Sequence, residues 1–160
     1  MSKIITFNHP TLSKQARPVK FNSPDLAKTI KDMVKAMELD NGIGLAAPQI
    51  NISQQIVVIK TEDGFLTLLN PKITRKSLKK VEIEEGCLSF PGFFGLVKRP
   101  QKIKICWEDK EGNHQKMAAD GLMARVLQHE VDHLNGKLFI YKVNKFTRGD
   151  TDELWKKMQS

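Results

Sequence analysis

A chain of 160 residues, 40% hydrophobic and 28% charged, has ordinary globular composition and enough length to bury a core, and a single domain over 1–160 is expected. Its 26 lysines and arginines against 18 aspartates and glutamates give a formal charge of +8. That excess favours contact with polyanions, but no RNA-recognition motif accompanies it and a solvated basic surface is the simpler expectation. The opening Met1-Ser2-Lys3-Ile4-Ile5-Thr6 is too mixed for a signal peptide or an import leader, and no apolar run reaches membrane-spanning length. The cytoplasm is the expected compartment, with no membrane as partner. In that reducing setting Cys87 and Cys106 suit a metal ligand or a core position better than a disulfide.

Residues 9–19 read as an extended, turn-rich arm, because Pro10 and Pro18 oppose helix. Ser23-Pro24-Asp25 predicts a helix start with Ser23 as cap. Leu26, Ile30, Met33, Val34 and Met37 follow at helical spacing until Asp40-Asn41-Gly42 stops them. Gly42-Ile43-Gly44-Leu45-Ala46-Ala47-Pro48-Gln49 lacks the third glycine of a dinucleotide fingerprint and the lysine of a phosphate loop. Alone it reads as a tight connection from helix to strand. Residues 56–59 predict a buried strand, Asp63-Gly64 a turn, and 66–69 a further strand that Asn70-Pro71 interrupts. From 73 towards 85 a longer strand region follows, in which Val81 and Ile83 alternate with Glu82 and Glu84, the pattern of a sheet wet on one face. Its Lys-rich part, 75–80, is expected to be a solvated hairpin end. Glu85-Gly86-Cys87-Leu88-Ser89 then presents a thiol just past a strand. Ile103, Ile105 and Trp107 alternate, Asp109-Lys110-Glu111-Gly112 turns, and 114–118 return, with Cys106 given a packing role.

Gln128-His129-Glu130-Val131-Asp132-His133 contains H-E-x-x-H. On a helix His129 and His133 lie one above the other and can grip one metal ion, while Glu130 can serve a water there as general base. Asp120 can cap this helix and Asn135-Gly136 can end it. Leu122, Val126, His129 and His133 fall within about 60° of arc, and Met123, Leu127 and Leu134 form a second apolar sector. Only Arg125, Gln128 and Asp132 share a polar edge. A helix apolar over most of its girth belongs in the middle of the fold, with its histidines turned inward. Residues 138–141 then read as a short strand or extended segment, and 147–159 as a brief, loosely docked helix anchored by Leu154, Trp155 and Met158.

A catalytic metal needs a third protein ligand and an open position. A metzincin places its third histidine where Phe139 stands, and phenylalanine cannot bind metal. Glu153, the only glutamate after Glu130, lies in a polar tail. Cys87 is the better candidate, since a metal's charge stabilises its thiolate.

The stretches 42–49, 85–89 and 128–133 occur together and in order. They resemble the three motifs of peptide deformylases, G-φ-G-φ-A-A-x-Q, E-G-C-L-S and Q-H-E-x-D-H. His9-Pro10-x-Leu12 and the Asn70-Pro71 pair are also similar to that family, so the resemblance covers nearly the whole chain. It implies an α+β fold: antiparallel strands wrapped around a central helix carrying the H-E-x-x-H motif, with an N-terminal helix and a short C-terminal helix. The implied activity is metal-dependent removal of the formyl group from the N-terminal formyl-methionine of newly synthesised polypeptides. An H-E-x-x-H metallopeptidase that cuts peptide bonds is the alternative.

On the family pattern Cys87, His129 and His133 hold one divalent metal, Fe2+ in the family, with Zn2+, Ni2+ or Co2+ as substitutes. Glu130 moves the protons, and the Gln49 side-chain amide and the Leu88 backbone N–H meet the oxyanion. Ile43, Gly44, Ile83, Leu122 and Val126 form the substrate pocket, Gly44 letting the substrate backbone approach. Glu85 fixes the tautomer of a ligand histidine, and Arg99 pairs with Asp132. The implied partners are N-formyl-methionyl nascent peptides, with ribosome proximity suggested by the basic charge and no specific nucleic-acid motif. This chain departs from the family at Ser13, where many relatives carry Arg, and at Tyr141, where Asp is usual. Phe93 and Phe94 are bulky, and the C-terminal region is short. These differences bear on pocket shape and docking rather than on the chemistry.

Overall fold

The computed structural model describes residues 2–160. Its helices are α1 (Leu26–Leu39), α2 (Gly121–Leu134) and α3 (Thr151–Gln159). Its strands are β1 (Gly44–Ala46), β2 (Ile56–Thr61), β3 (Gly64–Lys76), β4 (Lys80–Gly86), β5 (Phe94–Pro100), β6 (Lys102–Glu108), β7 (His114–Asp120) and β8 (Val143–Arg148). All pair antiparallel, in one sheet of order β1-β2-β3-β6-β7 and a second of order β4-β5-β8. Helix α2 packs against every strand of the first sheet and against β5 of the second. The fold is therefore α+β, with strands wrapped about the helix that carries the histidines. No helix is long and apolar enough to cross a membrane among the described residues.

The apolar run of β2 has a direct cause. Ile56 and Val58 pack with Ile30, Met33 and Met37 of α1, while Val57 and Ile59 pack with Val126 and Leu127 of α2. A strand covered on both faces has no polar side to alternate with. On β6 only one face is covered: Ile103, Ile105 and Trp107 lie under α2, and Lys102 and Lys104 are exposed. A third cluster, with Phe90, Phe93, Val97, Phe139 and Leu154, joins the second sheet to α3.

Several elements differ from the expectation. Helix α1 begins at Leu26, after a turn in which the Leu26 N–H donates to the Ser23 carbonyl at 3.2 Å, and Asp25 occupies its N-cap without a side-chain bond. Asn70-Pro71 does not end a strand. β3 runs through it with a register shift, and Asn70, at φ +50, clips the N-terminal arm by accepting the Val19 N–H at 2.7 Å. Strands β5 and β8 have no apolar alternation to announce them: the buried positions of β5 include Gly95 and Arg99, and β8 is largely exposed. Residues Phe139–Tyr141 form a 3-10 turn rather than a strand. Asp120 sits at the N-cap of α2 without capping it through its side chain. Helix α3 starts at Thr151 because the Asp150 carboxylate accepts the N–H groups of Asp152 and Glu153, and its Leu154 is fully buried, so it is firmly docked.

Candidate active site

Helix α2 delivers His129 and His133 one turn apart, and the chain leaving β4 delivers Cys87 to the same place. One ligand atom from each lies within 4.8 Å of the others, and the Cys87 Sγ is 3.3 Å from the His133 Nε2. Ligands held at 2.0–2.3 Å on a tetrahedral ion lie roughly 3.3–3.8 Å apart, so the triad is close to the spacing a metal requires. A thiolate and two imidazoles are also the donor chemistry that a borderline divalent ion takes. Two buried polar atoms at this site, the Glu130 Oε2 and the His133 Nδ1, have no partner among the described residues. The residues fit a metal.

Behind His129 stands Glu85, the last inward-facing residue of β4. Its Oε1 lies 2.9 Å from the His129 Nδ1, which leaves the Nε2 of that ring for the triad. Arg99 of β5 grips the same carboxylate in a fork, Nε to Oε2 at 2.6 Å and Nη2 to Oε1 at 2.9 Å, and Arg125 adds a third contact at 2.7 Å. Arg99 also donates to Asp132 at 2.7 Å, and Lys142 lies 3.1 Å from the same acid. Burial alone would raise the Glu85 carboxyl. Hydrogen bonds from His129 and Arg99, with their charges, outweigh it and hold Glu85 far below the ordinary carboxylate range.

Glu130 has no such partners. Burial pushes its carboxyl up to about 7, with the charge of His129 opposing and that of Glu85 adding to the rise. A methyl at Gly44 would come within 2.9 Å of both the Glu130 Oε1 and the Val126 side chain. The glycine thus makes room for Glu130 on the facing helix, a use the sequence did not reveal. Five residues further on, the Gln49 Oε1 accepts the Ala46 N–H at 2.9 Å. This orients its NH2, which donates to the Ser89 Oγ at 3.2 Å and lies 3.5 Å from the Cys87 Sγ. The Leu88 N–H makes no backbone hydrogen bond among the described residues.

Gln49, Glu85, Cys87, Leu88, His129 and Glu130 line a cleft of about 1060 Å³ whose walls include Ile43, Gly44, Leu122 and Val126. Ile83 does not line it. It stands on β4 with 40% of its surface exposed. Leu122, at 66% exposure, forms part of the rim rather than a buried wall. Phe139, where a third histidine would have stood, stacks obliquely on the His129 ring at 5.7 Å. Glu153 is on α3, 3.7 Å from Lys157, and does not join the cluster of Cys87, His129 and His133.

Sequence reasoning left out Arg125 and Ser89. Arg125 read as part of a polar edge, yet it is buried, with its guanidinium also donating to the Val81 and Val97 carbonyls at 2.6 Å. An arginine on a helix that is otherwise apolar was the available signal. Ser89, fully buried, offered none beyond its place in the E-G-C-L-S motif.

A buried helix presenting H-E-x-x-H to a cysteine from a neighbouring strand defines a metal-dependent hydrolase of the Cys-His-His class. Residues 1–149 match the model of the polypeptide deformylase family. A peptide deformylase of Caldanaerobacter subterraneus subsp. tengcongensis is 44% identical over 145 residues, covering 91% of this chain and 89% of that one. The crystal structure of the peptide deformylase of Thermotoga maritima superposes with a TM-score of 0.86 at 41% identity, over 90% of this chain and 98% of that one. A class I type b peptide deformylase of Acinetobacter baumannii, solved with Met-Ala-Ser bound, gives 0.82 at 32% identity, over 87% of this chain and 97% of that one. The chain belongs to the polypeptide deformylase family, whose enzymes are metal-dependent and remove N-terminal formyl groups. The metallopeptidase alternative is not favoured.

Proposed function

We propose that the chain works as a single unit over 1–160 in the cytoplasm and deformylates the N-terminal formyl-methionine of nascent peptides. Cys87, His129 and His133 hold one divalent metal, Glu130 is the general acid and base, and Gln49 and Leu88 are oxyanion donors. The carrying observation is the convergence of the three ligand atoms, with Cys87, His129, Glu130 and Gln49 all lining one cleft. The proposed ion is Fe2+, by family resemblance, with Zn2+, Ni2+ or Co2+ able to substitute; a thiolate and two imidazoles suit all four. Such an ion would supply a Lewis acid that brings the pKa of a water down to about 7.

The chain's own residues do the rest. Glu130 accepts the proton of the attacking water and returns a proton to the leaving amine, a task worth about 10²–10⁴ in rate. The Gln49 NH2, aimed by the Ala46 N–H on its oxygen, and the Leu88 N–H donate to the oxygen that gains charge at the formyl carbon. Glu85 keeps the His129 ring in one tautomer and orientation. Strands β1 and β4 each end a sheet, and both border the cleft, so an extended peptide can add as a strand between them. Gly44 on β1 takes part in that pairing, and the methionine side chain lies against Ile43, Leu122 and Val126. The Met-Ala-Ser bound to the Acinetobacter relative supports a methionyl peptide as occupant.

Formate release from a formyl-Met peptide by anaerobically purified protein tests this reading, run beside acetylated and unblocked peptides and with elemental analysis of the metal. Activity confined to the formyl peptide is expected, with iron present. Glu130→Gln is expected to keep its metal while losing about 10²–10⁴ in turnover. Cleavage of an internal peptide bond, or full activity in Glu130→Gln, would sink the proposal.

A further inference from the structure

The excess of positive charge is concentrated at one corner of the molecule. Residues 72–80 hold five cations and no acid, and residues 98–104 hold four and no acid. The two stretches lie side by side: the Ser77 N–H donates to the Lys102 carbonyl at 2.9 Å, and the Gln101 N–H to the Lys79 carbonyl at 3.0 Å. Arg99 turns inward to Glu85. The other eight, Lys72, Arg75, Lys76, Lys79, Lys80, Lys98, Lys102 and Lys104, are all exposed. Eight equals the formal excess of the whole chain, +8, so the remaining cations balance the 18 acids. Among the described residues only Lys102 of these eight has an ion pair, at 3.9 Å from Asp120. Glu82, which faces Lys98 across the strands, is engaged by the Asn144 side chain at 2.6 Å.

The strands fix the spacing of this charge. Arg75 faces Lys104 across β3 and β6, and Lys72, Cys106 and the exposed Lys116 form a cross-strand row beside them. Neighbouring strands lie about 4.8 Å apart and alternate residues about 7 Å apart, on the scale at which phosphates recur along a nucleic-acid strand. A groove of about 370 Å³ is lined by Arg75, Lys76, Lys102 and Lys104, with Ala118 as part of its floor and Asp120 as the one acid against these four cations. Lysines held together this way repel one another unless an anion covers them.

We infer that this corner, formed by the β3–β4 and β5–β6 turns and the outer face of β6, is a docking surface for the phosphate backbone of RNA. A protein partner fits less well, because lysine is depleted in protein interfaces and their centres are apolar, whereas the one large apolar side chain offered here is Leu78 at the hairpin tip. A membrane surface fits less well too, since a polybasic patch holds lipid stably only with a second anchor. No aromatic side chain lines the groove for bases to stack on, so recognition is of backbone charge and independent of base sequence. The corner and the cleft sit at opposite ends of β4, roughly 20 Å apart along the strand, which leaves the cleft open while RNA is bound.

The test is the affinity of the full chain for a short labelled RNA hairpin between 50 and 300 mM KCl, on the order of the range in which backbone contacts are salt-sensitive. The triple variant Lys76→Gln/Lys102→Gln/Lys104→Gln is compared with a control triple that removes the same charge elsewhere, Lys20→Gln/Lys31→Gln/Lys35→Gln. The corner variant is expected to lose at least about tenfold in affinity and about two to three from the slope of log K against log salt. The control is expected to lose less than about threefold. Equal losses in the two triples would overturn the proposal, since net charge and not this surface would then be responsible. Tighter binding to anionic vesicles or to polyglutamate than to RNA would overturn it as well. Formate release from a short peptide is expected to be unchanged in the corner variant; its loss together with RNA binding would remove the distinction between corner and cleft.

Discussion

On the side of α2 that faces the five-stranded sheet, Ala124, Val126, Leu127 and Leu134 meet Val57, Ile59, Leu68 and Ile105, whereas the side towards β4 and β5 carries Arg125, Gln128 and Asp132. There Arg125 is shared between Glu85 and two carbonyls, Gln128 donates to the Pro100 carbonyl at 2.9 Å, and Asp132 accepts from Arg99. Both sides are buried, but they act differently. Hydrocarbon contact is proportional to area and carries no direction, so it holds the helix in place without aiming anything. Charge-assisted hydrogen bonds are directional, and a buried charge that loses its partner is costly. The ionic side therefore aims His129, and the hydrocarbon side keeps the helix folded.

The largest effect that would break this division is Glu85→Ala. It strands Arg99 and Arg125 without their shared anion and frees the His129 ring. A loss of about 3–5 kcal/mol is expected in denaturant titration, along with a 10–100-fold loss of metal affinity by chelator competition. Leu127→Ala, on the hydrocarbon side, is expected to lose about 2–5 kcal/mol while the folded protein binds metal as before. If its metal affinity fell as far as that of Glu85→Ala, the two sides would not be separable.

Acid pH sharpens the same contrast. The folded pKa of Glu85 lies below the ordinary 4.5, so protonation favours the unfolded chain. Its stabilisation is complete above about 4.5 and drains away as the pH falls from there towards the folded value. Stability of the metal-free protein measured from pH 6 down to 3 is expected to fall more steeply for wild type than for Glu85→Gln. Parallel curves would show that other carboxylates dominate. The smallest effect is expected at Leu122→Ala on the exposed rim. Stability should stay within about 0.5 kcal/mol of wild type, while KM for a formyl-Met peptide rises roughly three- to tenfold at unchanged kcat. A matching fall in kcat would place Leu122 closer to the reacting atoms than the rim.

Much of the candidate site was legible in the chain. Helix geometry alone turns the i, i+4 spacing of His129 and His133 into a pair able to hold one ion, Phe139 removed the commoner third ligand, and Cys87 stood just past a strand. The uninterrupted apolar run of β2 and the nearly all-round apolar α2 foretold burial, because periodicity records how many faces of an element are covered. Other features were out of reach. Arg125 looked solvated until Glu85, 40 positions earlier, was found beside it. Gly44, expected to give the substrate backbone access, also leaves room for the Glu130 side chain, which no local pattern announced. Ile83 looked like a pocket wall and lies outside the cleft.

What the amino-acid sequence determined by itself is the local part: the candidate ligand pair with Glu130 beside it on one helix, the points where the helices stop, and the strands with one or two apolar faces. The tertiary structure alone decided which carboxylate meets which guanidinium, which glycine gives way to which side chain, and that eight cations from two separate stretches of chain share one corner. The reason is physical. Local order depends on neighbours within a turn or a strand pair, whereas buried ion pairs and surface fields arise between residues that only the packing of distant segments brings together.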